Sequence, residues 1–200
     1  MRNGLDYLNT VFGSPSLFLH GIAVAPYFNL GEYEKWTNLT VDQVLDAFNI
    51  SIQGMSPELG WGGNNPIGAH AVYGAWYKLA VHGYEGGPDT AGCDNCSLDA
   101  RGNATRDPRM TDICIQYLNA WYRYGFRELN WFVAGAGAMG RYGSWAVLED
   151  MRQETLVDTT GMFNASSPVA KLPRPAPKLK AIDIVRESTI DMNFGIPVPS

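Results

Sequence analysis

Lys78-Leu79-Ala80-Val81-His82-Gly83-Tyr84-Glu85-Gly86-Gly87 reads as a buried strand that ends on one carboxylate and breaks at two glycines. An apolar run bounded by glycine suits a parallel strand covered on both faces. In (β/α) barrels the chemistry gathers at the carboxyl ends of such strands. Glu85 is therefore the first candidate for a catalytic residue. The same position suits a loop cap, or an ion pair with Arg127 or Arg141, because ion-pair networks also place carboxylates at strand ends.

Two further stretches have the same character. Gly21-Ile22-Ala23-Val24-Ala25-Pro26-Tyr27-Phe28 reads as a strand ending at Pro26 and Tyr27. Arg127-Glu128-Leu129-Asn130-Trp131-Phe132-Val133-Ala134 reads as another, followed by a glycine-rich loop. Helical patterns separate them. One runs from Leu5 to Phe12 and stops at Gly13-Ser14-Pro15. A second, Val41 to Phe48, has Thr40 as N-cap and Gln43 in the capping-box position. Ile67 to Trp76 follows Pro66, a favourable first-turn residue. Met110 to Tyr124 carries Ile113, Tyr117, Leu118 and Trp121 on one face and ends at Gly125. Trp145 to Met151 is expected to begin a last helix, and Gly86 to Asp107 an exposed excursion. This alternation predicts an α/β fold with a parallel sheet and right-handed crossovers over residues 1–158. Residues 159–200 read as a Pro-rich extended tail, with one short strand at Ile182 to Val185.

Composition narrows the function. At 46% apolar and 18% charged, the chain of 200 residues can bury a core and is not of disordered type. A net charge of −5 without a basic cluster argues against nucleic acid as a partner. No apolar run approaches the roughly 18 residues that would mark a membrane span. Five Asn-x-Ser/Thr sequons, at Asn38, Asn49, Asn95, Asn103 and Asn164, point to a secreted, extracellular glycoprotein. Met1 to Leu8 lacks the apolar region of a signal peptide, so part of a longer precursor is expected. Cys93, Cys96 and Cys114 fit an oxidising compartment as disulfide candidates, one pairing joining Cys114 to a member of the loop pair. A zinc site at Cys93-x-x-Cys96 would need two more ligands, and His20, His70 and His82 stand isolated upstream. Neither a metal nor a cofactor is expected.

Gly135-Ala136-Gly137-Ala138-Met139-Gly140 fits the dinucleotide pattern G-x-G-x-x-G, with Asp158 placed as a ribose ligand. Gly143 interrupts the helix that should follow, however, and too few residues remain after Asp158 to finish a doubly wound domain. A loop at the mouth of a sheet, open to close backbone approach by a ligand, accounts better for these glycines.

The phrases Ile22-Ala23-Val24-Ala25-Pro26-Tyr27-Phe28, Tyr84-Glu85-Gly86-Gly87 and Arg141-Tyr142-Gly143-Ser144-Trp145 resemble the later strands of retaining (β/α)₈ TIM-barrel glycoside hydrolases. More narrowly, they are similar to cellulase-like or cellulose-binding secreted proteins of that clan. The resemblance covers about Leu5 to Met151 and implies strands six, seven and eight of the barrel. It implies Glu85 as nucleophile, Tyr27 as the phenol that hydrogen-bonds it, and Trp131 as the floor of the sugar subsite. Trp36 and Trp61 would extend a glycan groove. A retaining mechanism needs a second carboxylate, which this clan takes from an Asn-Glu pair on its fourth strand. No Asn-Glu pair occurs in the chain. The expected partners are thus a polysaccharide and the remaining half of the barrel, supplied by further chain or by association. The expected alternative is a catalytically inactive, glycan-binding or structural glycoprotein on the same scaffold.

Overall fold

A computed structural model describes residues 2–55, 67–90, 96–135, 143–149 and 176–188. Helix α1 (Arg2–Phe12) leads through a 3₁₀ turn at Pro15–Leu17 into strand β1 (Gly21–Val24). Pro26 kinks the chain, which resumes as β2 (Tyr27–Asn29). Helices α2 (Val41–Gln53) and α3 (Ile67–Tyr77) follow, then β3 (Ala80–Gly83) and β4 (Gly87–Asp89). Helices α4 (Leu98–Arg106), α5 (Met110–Arg123) and α6 (Pro177–Glu187) complete the order.

The strands are parallel, as the alternation of elements requires. β1 pairs with β3 in the register Gly21 to Ala80 through Val24 to Gly83. Past the kink, β2 pairs with β4 from Tyr27 opposite Gly87 to Asn29 opposite Asp89. The third predicted strand runs beside β3. The Arg127 N–H donates to Val81 and the Asn130 N–H to Gly83, and Leu129 forms a parallel bridge with Gly83. Three successive strand lines thus lie side by side in chain order.

One face of this array carries the core. Ile22, Val24, Phe28 and Val81 are buried in a cluster with Val44 and Phe48 of α2 and Tyr117 and Trp121 of α5. Phe28 meets the rings of Phe48 and Tyr117 at 5.1 and 4.8 Å. The opposite face presents Ala23, Glu128 and Asn130 exposed and His82 half-buried. His82 Nδ1 lies 2.8 Å from Glu128 there, and the ring of His20 is 5.5 Å from that of His82.

The Thr40–Gln43 capping box forms in both directions. The Gln43 N–H donates to Thr40 Oγ1 at 3.2 Å, and the Thr40 N–H donates to Gln43 Oε1 at 2.9 Å. Four expectations are corrected. Ile182 to Val185 belongs to helix α6, because Ala181 and Val185, four apart, bury the face turned to α5, and Pro177 starts the first turn. Residues 143–149 are not helical. Ser144, Ala146 and Leu148 are buried alternately, and Leu148 bridges Gly135 in parallel. The excursion after Gly86 contains the buried strand β4 and helix α4, whose Arg101 and Ala104 are fully buried. Cys114 is free and buried on α5, whereas Cys96 is disulfide-bonded, so the pairing through Cys114 does not form. Cys114 lies on the covered face of α5 near Lys178 of α6, enclosed by helix packing. Cys93 and the segment Ala136 to Gly140 lie outside the described residues.

Candidate active site

Parallel pairing brings the carboxyl ends of β1 and β3 together, and just beyond them Tyr27, where β2 begins, and Glu85, ahead of β4, whose last residue is Asp89. The Tyr27 phenol lies near enough to the Glu85 carboxylate to feel its charge. Burial pushes the phenol up to about 12, with the carboxylates of Glu85 and then Asp89 adding to the shift. Tyr27 is therefore a protonated donor throughout the physiological range. Glu85 and Asp89 are each half-buried, within reach of solvent.

Aromatic side chains wall the carboxylates. Trp131 crosses above Gly87, where an added Cβ would sit 2.8 Å from the indole. Its Nε1 donates to the Trp145 carbonyl at 2.9 Å. The Trp145 Nε1 donates in turn to Asp89 Oδ1 at 3.0 Å. Phe132 stands edge-on to both Tyr27 and Trp145, at 6.4 and 6.2 Å between ring centres, and is 39% exposed. An apolar ring of that exposure beside two carboxylates is a surface on which the carbon face of a sugar can stack. Beneath, the Gly87 N–H donates to the buried Tyr117 hydroxyl at 3.1 Å. A Cβ at Gly86 would lie 2.5 Å from that hydroxyl, so the two glycines after Glu85 are a packing requirement.

Of the residues singled out in the sequence, Glu85, Tyr27 and Trp131 fall in this cluster. Trp36 stands on a separate turn after the 3₁₀ segment Gly31–Lys35, 44% exposed and packed edge-on against Tyr33 at 4.8 Å. Trp61 lies outside the described residues. Of the sequons, Asn38 and Asn103 are exposed, Asn49 is half-buried, and Asn95 and Asn164 lie outside the described residues. Sequence reasoning missed Asp89, Phe132 and Trp145. The signal for Asp89 was its spacing: two positions beyond Gly87, it returns to the same side of the strand. Trp145 was hidden because its segment was read with helical rather than alternating period.

Among the described residues, no group of three or more His, Cys, Asp or Glu side chains is arranged to hold a metal ion. No helix there is long and apolar enough to cross a membrane. No protein-family model matches this chain, and neither a curated protein nor a solved structure is significantly similar to it.

Proposed function

We propose that this chain is a secreted, glycoside hydrolase-like glycoprotein that acts on or binds a polysaccharide, with Glu85 as the nucleophile. The scaffold is the C-terminal portion of a (β/α)₈ barrel. The observation that carries the reading is the electrostatic interaction of Tyr27 with Glu85 just past the carboxyl ends of the parallel strands β1 and β3, beside an aromatic wall. A protonated phenol beside a carboxylate favours one orientation of it, as in-line attack on an anomeric carbon demands.

In that role the Glu85 oxygen forms a bond to the anomeric carbon as the glycosidic bond breaks. An acid protonates the departing oxygen, and water then displaces Glu85 with proton transfer back to the same group. The acid must stand about 5–5.5 Å from the nucleophile for retention. By the resemblance it belongs to the barrel's fourth strand, which these 200 residues do not supply. Two structural features suit completion by another half barrel. Among the described residues β1 pairs along one edge, with β3. Ala23, Glu128 and Asn130 on the opposite face are exposed among the described residues, whereas parallel sheets are ordinarily buried on both sides.

The absence of an Asn-Glu pair favours the second reading, a catalytically silent glycan-binding or structural extracellular glycoprotein. Hydrolysis of aryl β-glucosides, β-xylosides and β-mannosides by the protein expressed through a eukaryotic secretory pathway separates the two. Turnover that disappears in Glu85→Gln supports the hydrolase. Glycan binding without turnover, unchanged in Glu85→Gln, supports the silent scaffold.

A further inference from the structure

Arg101 lies on the buried side of α4 with no solvent exposure, on a helix that carries none of the residues around Glu85. Its Nη1 donates to the Thr90 carbonyl at 3.0 Å, and its Nη2 reaches the carbonyls of Tyr33 and Glu34. Thr90 extends the connection. Its Oγ1 accepts the Ser144 N–H at 2.6 Å and donates to the Ser144 carbonyl at 3.1 Å. Each anchored backbone is next to, or close to, an aromatic or acidic side chain named above, two of them in the Glu85 cluster and the third, Trp36, on its separate turn. Thr90 follows Asp89, Ser144 precedes Trp145, and Glu34 is near Trp36 on the same turn. The start of α4 adds a second tie to that turn. Ser97 Oγ donates to the Trp36 carbonyl at 3.4 Å and accepts the Leu39 N–H at 2.8 Å.

We infer that Arg101 is a positioning residue for the site around Glu85: its one guanidinium sets the mutual placement of the segments that carry Trp36, Asp89 and Trp145. This rests on the reading of Glu85 above. Burying a guanidinium is costly, and an apolar side chain of similar volume would fill the space at lower cost. A planar fork, however, donates in two fixed directions at once, to Thr90 on one side and to the Tyr33–Glu34 turn on the other. Lysine, a point donor, cannot reproduce that geometry.

The test uses Arg101→Lys and Thr90→Val in the full secreted chain, read at a temperature where circular dichroism shows each variant folded. The first readout is exchange of the Trp145 indole N–H, which is hydrogen-bonded to Asp89 in the parent. The second is inactivation by a 2-fluoroglycoside, split into its binding and first-order constants. Positioning predicts that both variants exchange the Trp145 indole about tenfold faster or more. It also predicts binding of the inactivator weakened about tenfold, with the first-order constant less affected. Folded variants with parental indole exchange and parental inactivation overturn the proposal, since a purely stabilising residue would leave both unchanged. Thr90→Val keeps Arg101 and its bond to the Thr90 carbonyl and cuts only the onward tie to Ser144, so Arg101→Met, read in the same way, decides if Arg101→Lys does not fold. If the parent is not inactivated at all, the hydrolase reading fails, and indole exchange still judges Arg101.

Discussion

Gly87 holds a φ of +120°, a conformation that side chains with a Cβ rarely adopt. A methyl group there would also meet Trp131 at 2.8 Å, so strain and steric overlap fall on one residue between Glu85 and Asp89. Gly87→Ala is expected to lower stability by about 1–3 kcal/mol and to displace the indole. Urea denaturation followed by tryptophan fluorescence checks this, and an unchanged midpoint and spectrum would contradict the packing. Glu85 was legible as a candidate because a strand end and a glycine break leave a local trace, whereas Tyr27 and Trp131 entered only through the resemblance. Asp89 and Arg101 were not legible, because their roles depend on which segments fold against them. Arg101 in particular looks like an ordinary surface arginine in sequence, and only the approach of three backbone segments makes it a buried connector.

Helix α6 illustrates the same limit for an element. Its proline-rich approach masked the spacing of Lys178, Ala181 and Val185, all buried as the helix packs on α5. Burial lowers the Lys178 ammonium from its ordinary 10.5 to about 8, an effect that Cys114 and Glu149 partly oppose. Between about pH 8 and 10.5 the unfolded chain therefore binds more protons at this residue than the native one, and the Lys178 contribution to stability rises with pH. Below pH 8 the full cost of burying the charge remains. Cys114 works in the other direction: burial pushes its thiol from 9.0 up to about 12, so its contribution is lost as pH rises above about 9. Lys178→Met should therefore stabilise the protein at pH 7, by up to about 3 kcal/mol, and the gain should shrink as pH rises beyond 8. Thermal unfolding of both proteins from pH 7 to 9 measures it. Equal stability at pH 7 would mean that the amine is well solvated. The helices with strong end signals, α2 with its capping box and α5 with Gly125, were readable in sequence, as was parallel pairing from the alternation of elements. The extended segment at residues 143–149 was not, because its partner is distant in the fold and its alternation spans only a few residues.

At the scale of the molecule, the described residues form two parallel strand pairs with helices packed on one face, a mixed helix-and-strand arrangement. The secretory reading has its own consequence. Asn38 and Asn103 are exposed, whereas Asn49 is half-buried on α2 with its side-chain oxygen enclosed. Glycopeptide mapping after expression through a eukaryotic secretory pathway should find glycan at Asn38 and Asn103 and none at Asn49. A glycan at Asn49 would contradict the packing of α2. The central claim, that Glu85 is a nucleophile, is tested most directly by mass spectrometry of the protein expressed through a eukaryotic secretory pathway, after incubation with 2-fluoro-β-glucosides, -xylosides and -mannosides. The account predicts one covalent adduct, on the peptide containing Glu85, absent in Glu85→Gln. Full occupancy of glycan binding with no adduct on that peptide, across all three sugars, would contradict it.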